Sequence, residues 1–144
     1  MIIGIGNDLC DCRRIEAVIH RHGTRFLNRI FTASEQERAL KRSQQTASFA
    51  KLFCAKEAVV KALGTGLTRG ILWTDIEITR SHHHPPQVTL YNHAKDEFDK
   101  RIPPDMEGHI HLAITDEWPY AQAFAIISAT TQERTSSCNE QSKK

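Results

Sequence analysis

Charged side chains and glycines at particular spacings mark the middle of this chain. Glu57 and Lys61 lie one helical turn apart in an alanine-rich segment that ends in Gly64-Thr65-Gly66. A second carboxylate, Asp8, closes a strand that carries Gly4-Ile5-Gly6, and strand glycines permit close backbone approach. A site with only one or two carboxylates is suited to Mg²⁺, and a lysine beside a glycine-rich bend is suited to binding phosphate. If strand and helix pack together, these residues predict a Mg²⁺-dependent enzyme that acts on a phosphoryl compound.

Each of these features also has an ordinary structural explanation. Glu57 and Lys61 can form a surface ion pair worth about 0.2–0.5 kcal/mol. The glycine-rich bend can be a plain helix cap, and Asp8 can begin a turn. Lys56 falls in the middle of the helix's apolar face, where an ammonium needs a partner. It therefore has either a structural role or a place in an interface or cofactor pocket.

The hydrophobic pattern predicts an α+β domain over residues 1–130, with a small antiparallel sheet packed around the long central helix. Asp11 is expected to cap the first helix, Thr32 and Glu35 to form a capping box, and Asn92 to cap the last helix. Residues 131–144 lack apolar periodicity and are expected to be disordered. The predicted strands are 2–9, 75–79, 87–91, 109–115 and 121–127, and the predicted helices are 12–22, 32–42, 49–63 and 92–101.

Composition limits the class of protein. The 144 residues are 40% hydrophobic and 25% charged with a net charge of +2, as in an ordinary soluble globular protein. No apolar run is long enough to span a membrane. The four cysteines do not form a disulfide framework, so we expect a reduced, cytoplasmic protein.

An arginine-rich segment follows the first strand. Five arginines lie between residues 13 and 29, where Glu16 is the only acid. Arg14, Arg21 and Arg25 form one stripe if the helix continues. Either this is a solvated face or, as we favour, it docks an acidic partner surface.

Two other functions are less well supported. A nucleic-acid binder would use the arginines, but the near-neutral net charge and the lack of a recognisable motif count against it. A metal chaperone would use Cys10, Cys12 and the histidines at 82–84. Successive histidines in an extended segment point apart, and no further ligand stands at suitable spacing.

Three blocks of sequence resemble the 4′-phosphopantetheinyl transferases, in particular the short holo-[acyl-carrier-protein] synthase type. The blocks are Gly4-Ile-Gly-Asn-Asp8 with Arg14-Ile15, Phe53-Cys-Ala-Lys-Glu-Ala-Val-Val-Lys-Ala-Leu-Gly-Thr-Gly66, and Leu112-Ala-Ile-Thr-Asp-Glu-Trp-Pro-Tyr-Ala121. Their order and separation match over residues 2–128.

The resemblance implies the transferase fold and a reaction. Coenzyme A donates phosphopantetheine to a serine of apo acyl carrier protein, and adenosine 3′,5′-bisphosphate leaves. Asp8 and Glu57 hold Mg²⁺, Lys61 binds phosphate oxygens, and Gly64, Thr65 and Gly66 let the backbone approach the cofactor. The serine proton passes to Glu57 or to a metal-bound water.

The resemblance also implies partners and an assembly. The helix with Arg14, Arg21 and Arg25 fits the acidic recognition helix of acyl carrier protein, which serves fatty acid biosynthesis. A chain this short holds one module where larger relatives hold two. We therefore expect a homotrimer with sites between subunits and neither a nucleic-acid nor a membrane partner.

Two positions depart from the family pattern. Leu52 stands where a basic residue usually precedes Phe53, with Lys51 before it. Asp116 stands where the turn after Thr115 often carries histidine. A phosphate contact is therefore either lost or supplied by another residue, and we expect altered affinity for coenzyme A.

Overall fold

The long helix in the middle of the chain lies across one face of an antiparallel sheet. The computed structural model describes residues 1–68, 70–81 and 84–131. The elements are β1 (Ile2–Asp11), α1 (Cys12–His22), α2 (Thr24–Ile30), α3 (Ala33–Leu40), α4 (Gln45–Leu63), a 3₁₀ turn (Trp73–Asp75), β2 (Ile76–Thr79), β3 (Gln87–Leu90), α5 (Asn92–Asp99), β4 (Met106–Glu117) and β5 (Tyr120–Thr131). One sheet has the order β1-β5-β4, and β2 pairs with β3 in another. The predicted α+β class is confirmed.

The central helix α4 is longer than predicted at its start. It begins at Gln45 rather than at residue 49, and it ends at Leu63 as predicted. Gly64 adopts a left-handed conformation with φ of 67°, and its N–H donates to the carbonyls of Val60 and Lys61. A residue with a side chain is strained in that conformation, so the glycine fixes where the helix stops.

Strand β1 lies unusually close to α4. A Cβ atom on Gly6 would stand 1.9 Å from the carbonyl oxygen of Ala58, and one on Gly4 would stand 2.1 Å from that of Ala62. Any side chain at these two positions would therefore separate the strand from the helix. The close approach expected from the glycines is confirmed.

The arginine-rich segment forms two helices rather than one. Asp11 caps α1 as predicted, since its carboxylate accepts a hydrogen bond from the N–H of Arg13. Gly23, with φ of 52°, ends α1, and α2 begins at Thr24. A single stripe of Arg14, Arg21 and Arg25 depended on an unbroken helix, and that condition is not met.

Several predicted boundaries also change. Strand β1 continues to the cap of α1, so Asp8 lies within the strand and not at its end. Tyr91 rather than Asn92 occupies the cap position of α5, while the Asn92 side chain donates to Asp75 at 2.8 Å. Helices α3 and α5 each end two residues before their predicted ends, and β4 and β5 extend until only residues 118 and 119 separate them.

The face of the three-stranded sheet opposite α4 is open and exposes large apolar side chains beside polar ones. Ile5 is 55% exposed, Leu9 63% and Phe124 39%. Asn7 pairs with Phe124 and Leu9 with Gln122, so these strands present their side chains to one surface. We call Ile5, Leu9 and Phe124 with their neighbours the open sheet face. Large exposed apolar patches mark interaction surfaces.

Some predictions concern residues beyond this description. The expected disordered tail, residues 131–144, lies outside the described residues except for Thr131, which ends β5. His82 and His83 of the histidine tract also lie outside them. In the described part of the chain, no helix combines the length and apolar character needed to cross a membrane.

Candidate active site

The structure brings Asp8 and Lys61 into direct contact. The Lys61 ammonium donates to the Asp8 carboxylate at 2.8 Å and to the Asn7 carbonyl at 3.0 Å. Asp8 raises the pKa of Lys61, chiefly through this hydrogen bond. The ordinary alternative, an ion pair between Lys61 and Glu57 within the helix, is replaced by a contact between helix and strand.

Glu57 lies beside this pair, one turn before Lys61. Its side chain is partly buried, and burial raises its pKa, as does the nearby Asp8 carboxylate, whereas Lys61 lowers it. When two carboxylates share one site, their repulsion disfavours ionisation of both, and a nearby positive charge reduces that repulsion. The three residues therefore form one electrostatic cluster.

Cys54 holds the strand at this cluster. Its thiol donates to the backbone carbonyl of Asp8 at 3.0 Å, and it lies one turn before Glu57. Burial strongly raises the pKa of the Cys54 thiol, so it keeps the proton that it donates. With Gly6 allowing close contact, this bond fixes Asp8 against α4.

The donor set fits a magnesium ion rather than a soft metal. No group of three or more His, Cys, Asp or Glu residues that could hold a metal ion occurs among the described residues. Asp8 and Glu57 supply two hard oxygen ligands. Mg²⁺ characteristically takes one or two carboxylates, keeps several waters and binds substrate phosphates as well.

The Gly64-Thr65-Gly66 bend follows directly from the helix that carries Glu57 and Lys61. Gly64 and Gly66 both have positive φ, and the Thr65 hydroxyl donates to the Gly66 carbonyl at 3.1 Å. The Arg101 guanidinium packs beside Gly64, where a Cβ would stand 2.9 Å from its Nη2 atom. Sequence reasoning missed Arg101, because nothing in its neighbourhood along the chain points to this loop.

Lys56 faces away from the site and has a structural partner. It is completely buried, and its ammonium lies 2.7 Å from the Glu35 carboxylate. Burial lowers the pKa of Lys56, while Glu35 acts in the opposite direction. The structural reading of Lys56 is therefore right, and no pocket or interface receives it.

The three arginines predicted to dock a partner are exposed but lie on two elements. Arg14 and Arg21 belong to α1, and Arg25 belongs to α2. Helix α1 directly follows the strand that carries Asp8. Arg14 therefore lies only six residues beyond Asp8 along the chain.

A basic cavity of about 470 Å³ lies between the start of α4 and neighbouring elements. Its charged lining residues are Arg38, Arg42, Lys51 and Arg80, and Leu52 also contributes. Sequence reasoning missed this cavity because its residues come from separate elements. The Lys51 ammonium lies 3.2 Å from the Asp116 carboxylate. Asp116, which stands where the family often has histidine, therefore has a cationic partner.

Cys10 and Cys12 do not form an accessible metal site. Both side chains are buried, and burial raises the pKa of the Cys10 thiol to about 11. Metal binding needs thiolates, which such surroundings disfavour. This geometry argues against the metal-chaperone hypothesis.

Comparisons with known proteins show consistent family relationships. A model of the 4′-phosphopantetheinyl transferase superfamily matches residues 4–123. The chain is 47% identical to the holo-[acyl-carrier-protein] synthase of Bartonella bacilliformis, covering 90% of this chain and 97% of the relative. It is 51% identical to that of Rhodopseudomonas palustris strain HaA2, covering 90% and 94%.

Solved structures give the same result. The crystal structure of holo-[acyl-carrier-protein] synthase from Neisseria meningitidis matches with a TM-score of 0.76 at 28% identity, covering 89% of this chain and 99% of that chain. The Helicobacter pylori enzyme in complex with coenzyme A matches with a TM-score of 0.72 at 28% identity, covering 86% and 99%.

Proposed function

Because the chain belongs to the 4′-phosphopantetheinyl transferase superfamily, we propose that it transfers 4′-phosphopantetheine from coenzyme A to a serine of apo acyl carrier protein. The cluster of Asp8, Glu57 and Lys61 is the observation that carries this proposal. It places two carboxylates and a cation on one surface, as transfer of a charged phosphoryl group requires. We also propose that this activity serves fatty acid biosynthesis.

Asp8 and Glu57 are the proposed ligands of Mg²⁺. Burial raises the pKa of Glu57, and the nearby Asp8 carboxylate raises it further; this second effect supports the role, because a divalent cation would offset the repulsion between the two carboxylates. When bound, the ion supplies positive charge to the diphosphate of coenzyme A. Lys61 already reaches Asp8 and is close enough to contribute its own charge to the same phosphates.

The reaction itself is an in-line displacement at phosphorus. The serine oxygen of the carrier forms a bond to the β-phosphorus of coenzyme A, and the bond to adenosine 3′,5′-bisphosphate breaks. Lys61 donates to phosphate oxygens as negative charge shifts to the leaving group. Glu57 is the proposed acceptor of the serine proton, because burial raises its pKa and so makes it a stronger base than an ordinary glutamate.

Two surfaces are available to bind the remaining parts of coenzyme A, the glycine-rich bend and the basic cavity. Gly64, Thr65 and Gly66 would let the cofactor approach the backbone beside Arg101. The basic cavity supplies Arg38, Arg42, Lys51 and Arg80 as replacements for the phosphate contact that Leu52 cannot make. The pairing of Asp116 with Lys51 supports this, because it lowers the repulsion between that acid and a phosphate.

Acyl carrier protein is the proposed partner of the arginine surface. Arg14, Arg21 and Arg25 are exposed, and they attract an acidic helix through long-range charge. Because two helices share these arginines, the partner would contact an angled surface rather than one straight stripe. Its serine would then reach the neighbouring Asp8 cluster.

The proposed assembly is a homotrimer with sites between subunits. The open sheet face, with Ile5, Leu9 and Phe124, is the apolar surface on this chain that a neighbouring subunit would cover. We assign residues 1–130 to one transferase domain. The free thiols of Cys10, Cys12 and Cys54 support a cytoplasmic location, since disulfides are rare there.

Mass spectrometry of apo acyl carrier protein tests this function. After incubation with the chain, coenzyme A and Mg²⁺, the carrier should gain the mass of one phosphopantetheine, and EDTA should prevent the gain. Glu57→Gln should give no product, whereas Glu107→Gln, at an exposed position on β4, should remain active. A fully active Glu57→Gln enzyme would contradict the metal-site assignment.

A further inference from the structure

A completely buried ion pair joins α4 to α3. The Lys56 ammonium lies 2.7 Å from one oxygen of the Glu35 carboxylate, and neither side chain has exposed surface. The ammonium also donates to the carbonyls of Ile30 at 2.9 Å and Trp73 at 3.0 Å. One lysine thus connects the middle of α4 with the end of α2, the start of α3 and the 3₁₀ turn.

Glu35 extends this network to two more backbone groups. One carboxylate oxygen accepts the N–H of Ile78 on β2 at 2.8 Å. The other accepts the N–H of Thr32 at 2.9 Å, which completes the capping box of α3. The pair is therefore fully hydrogen-bonded, and each bond has a defined direction.

On its opposite side α4 meets Gly4 and Gly6 of β1 through Ala58 and Ala62, a close contact without interlocking side chains. The bonds from Cys54 and Lys61 to Asn7 and Asp8 join the strand to the helix surface that carries the site. The buried pair supplies directional contacts on the other side of the helix, and fixing register is the best-attested use of buried polar groups.

Lys56 and Glu57 are neighbours in sequence and point about 100° apart around the helix. A rotation of α4 that loosens Lys56 from Glu35 therefore turns Glu57 relative to Asp8 by the same angle. We propose that Lys56 is a positioning residue whose buried pair with Glu35 fixes the rotation of α4 and thereby aims Glu57 at Asp8. This inference rests on the proposed metal site.

The test removes both charges together, so that no unpaired charge stays buried. Lys56→Met with Glu35→Gln replaces the pair by neutral groups of similar size, and such replacements are often tolerated. Glu35→Gln alone is the more disruptive second variant: its amide can still accept from Ile78, but Lys56 stays buried beside a neutral group. Val59→Ala is the matched control: Val59 is also completely buried, one turn along α4, but has no polar contact.

Manganese binding, followed by electron paramagnetic resonance with coenzyme A present and no carrier, reports on the site without turnover. Thermal melts identify the folded variants. The double variant should bind Mn²⁺ at least about tenfold more weakly, as loss of a supporting partner typically does. Glu35→Gln should show at least as large a loss, because it leaves the Lys56 charge without its partner. Val59→Ala should melt earlier yet bind Mn²⁺ as wild type does.

Steady-state kinetics add a second readout. The KM for Mg²⁺ should rise with the loss of Mn²⁺ affinity, while the KM for carrier protein should stay unchanged. If either the double variant or Glu35→Gln folds and binds Mn²⁺ with wild-type affinity, the inference is overturned. Lys56 would then have a purely stabilising role. Wild-type protein that binds no Mn²⁺ would instead refute the proposed metal site, and the positioning role with it.

Discussion

Replacing Gly6 by alanine tests whether the close contact of β1 with α4 creates the site. The added Cβ would stand 1.9 Å from the Ala58 carbonyl oxygen, whereas ordinary contacts begin at 3.4 Å. The strand and helix must therefore separate locally by about 1.5 Å. The obstacle is helix backbone, which cannot turn aside as a flexible side chain can.

The displacement acts directly on the cluster. Asp8 lies two residues beyond Gly6 on β1, while Glu57 and Lys61 belong to α4. A misplacement of about 1 Å can cost on the order of 100-fold in rate. We therefore expect kcat/KM for coenzyme A to fall about 100-fold in Gly6→Ala. Overpacking should also cost about 1–3 kcal/mol in the free energy of unfolding, which corresponds to a fall in Tm of about 3–10 °C.

Gly23→Ala separates the two effects. Its Cβ would meet nothing within 4 Å, but its φ of 52° strains a side chain. This control should lose stability and keep kcat at saturating carrier protein. Transfer rates measured by mass spectrometry and melts by calorimetry decide the outcome. A Gly6→Ala enzyme with near wild-type kcat/KM would refute the view that this contact positions Asp8.

Three further outcomes are expected. Glu57→Gln should abolish transfer but raise the Tm of metal-free protein at pH 7. The pKa of Glu57 is raised on folding, so the stability that Glu57 contributes is complete below its ordinary pKa of 4.5. That stability is lost as pH rises through the raised pKa, and glutamine does not lose it. The difference in Tm should therefore close below pH 4.5, and a gap that persists there in melts would exclude this cause. Arg14→Glu with Arg21→Glu should raise the KM for carrier protein about tenfold or more and leave that for coenzyme A nearly unchanged, and equal effects in steady-state kinetics would count against the docking surface. Phe124→Asp on the open sheet face should yield monomers in analytical ultracentrifugation together with loss of activity, whereas active monomers would disprove sites shared between subunits.

Local sequence signals located most of the elements. The Asp11 cap, the Thr32–Glu35 capping box and the Gly64 stop were all predictable, because each depends on hydrogen bonds or backbone preferences within a few residues. The family blocks also singled out Asp8, Glu57 and Lys61. The close contact at Gly4 and Gly6 followed from their lack of a side chain.

Pairings between distant residues could not be predicted in the same way. Lys61 bonds to Asp8 across 53 residues rather than to Glu57 one turn away, and Lys56 reaches Glu35 of another helix. The helix pattern showed only that a cation was buried, because many folds could place a carboxylate beside it.

The sequence by itself predicted most helix and strand boundaries to within a few residues, although not the separate helix α2, and it singled out the side chains proposed to carry the chemistry. The tertiary structure alone decided their partners. It broke the arginine surface at Gly23, assembled the basic cavity from separate elements and paired Asp116 with Lys51. Local geometry is set by neighbours along the chain, whereas the choice among several equally charged partners depends on how whole elements pack.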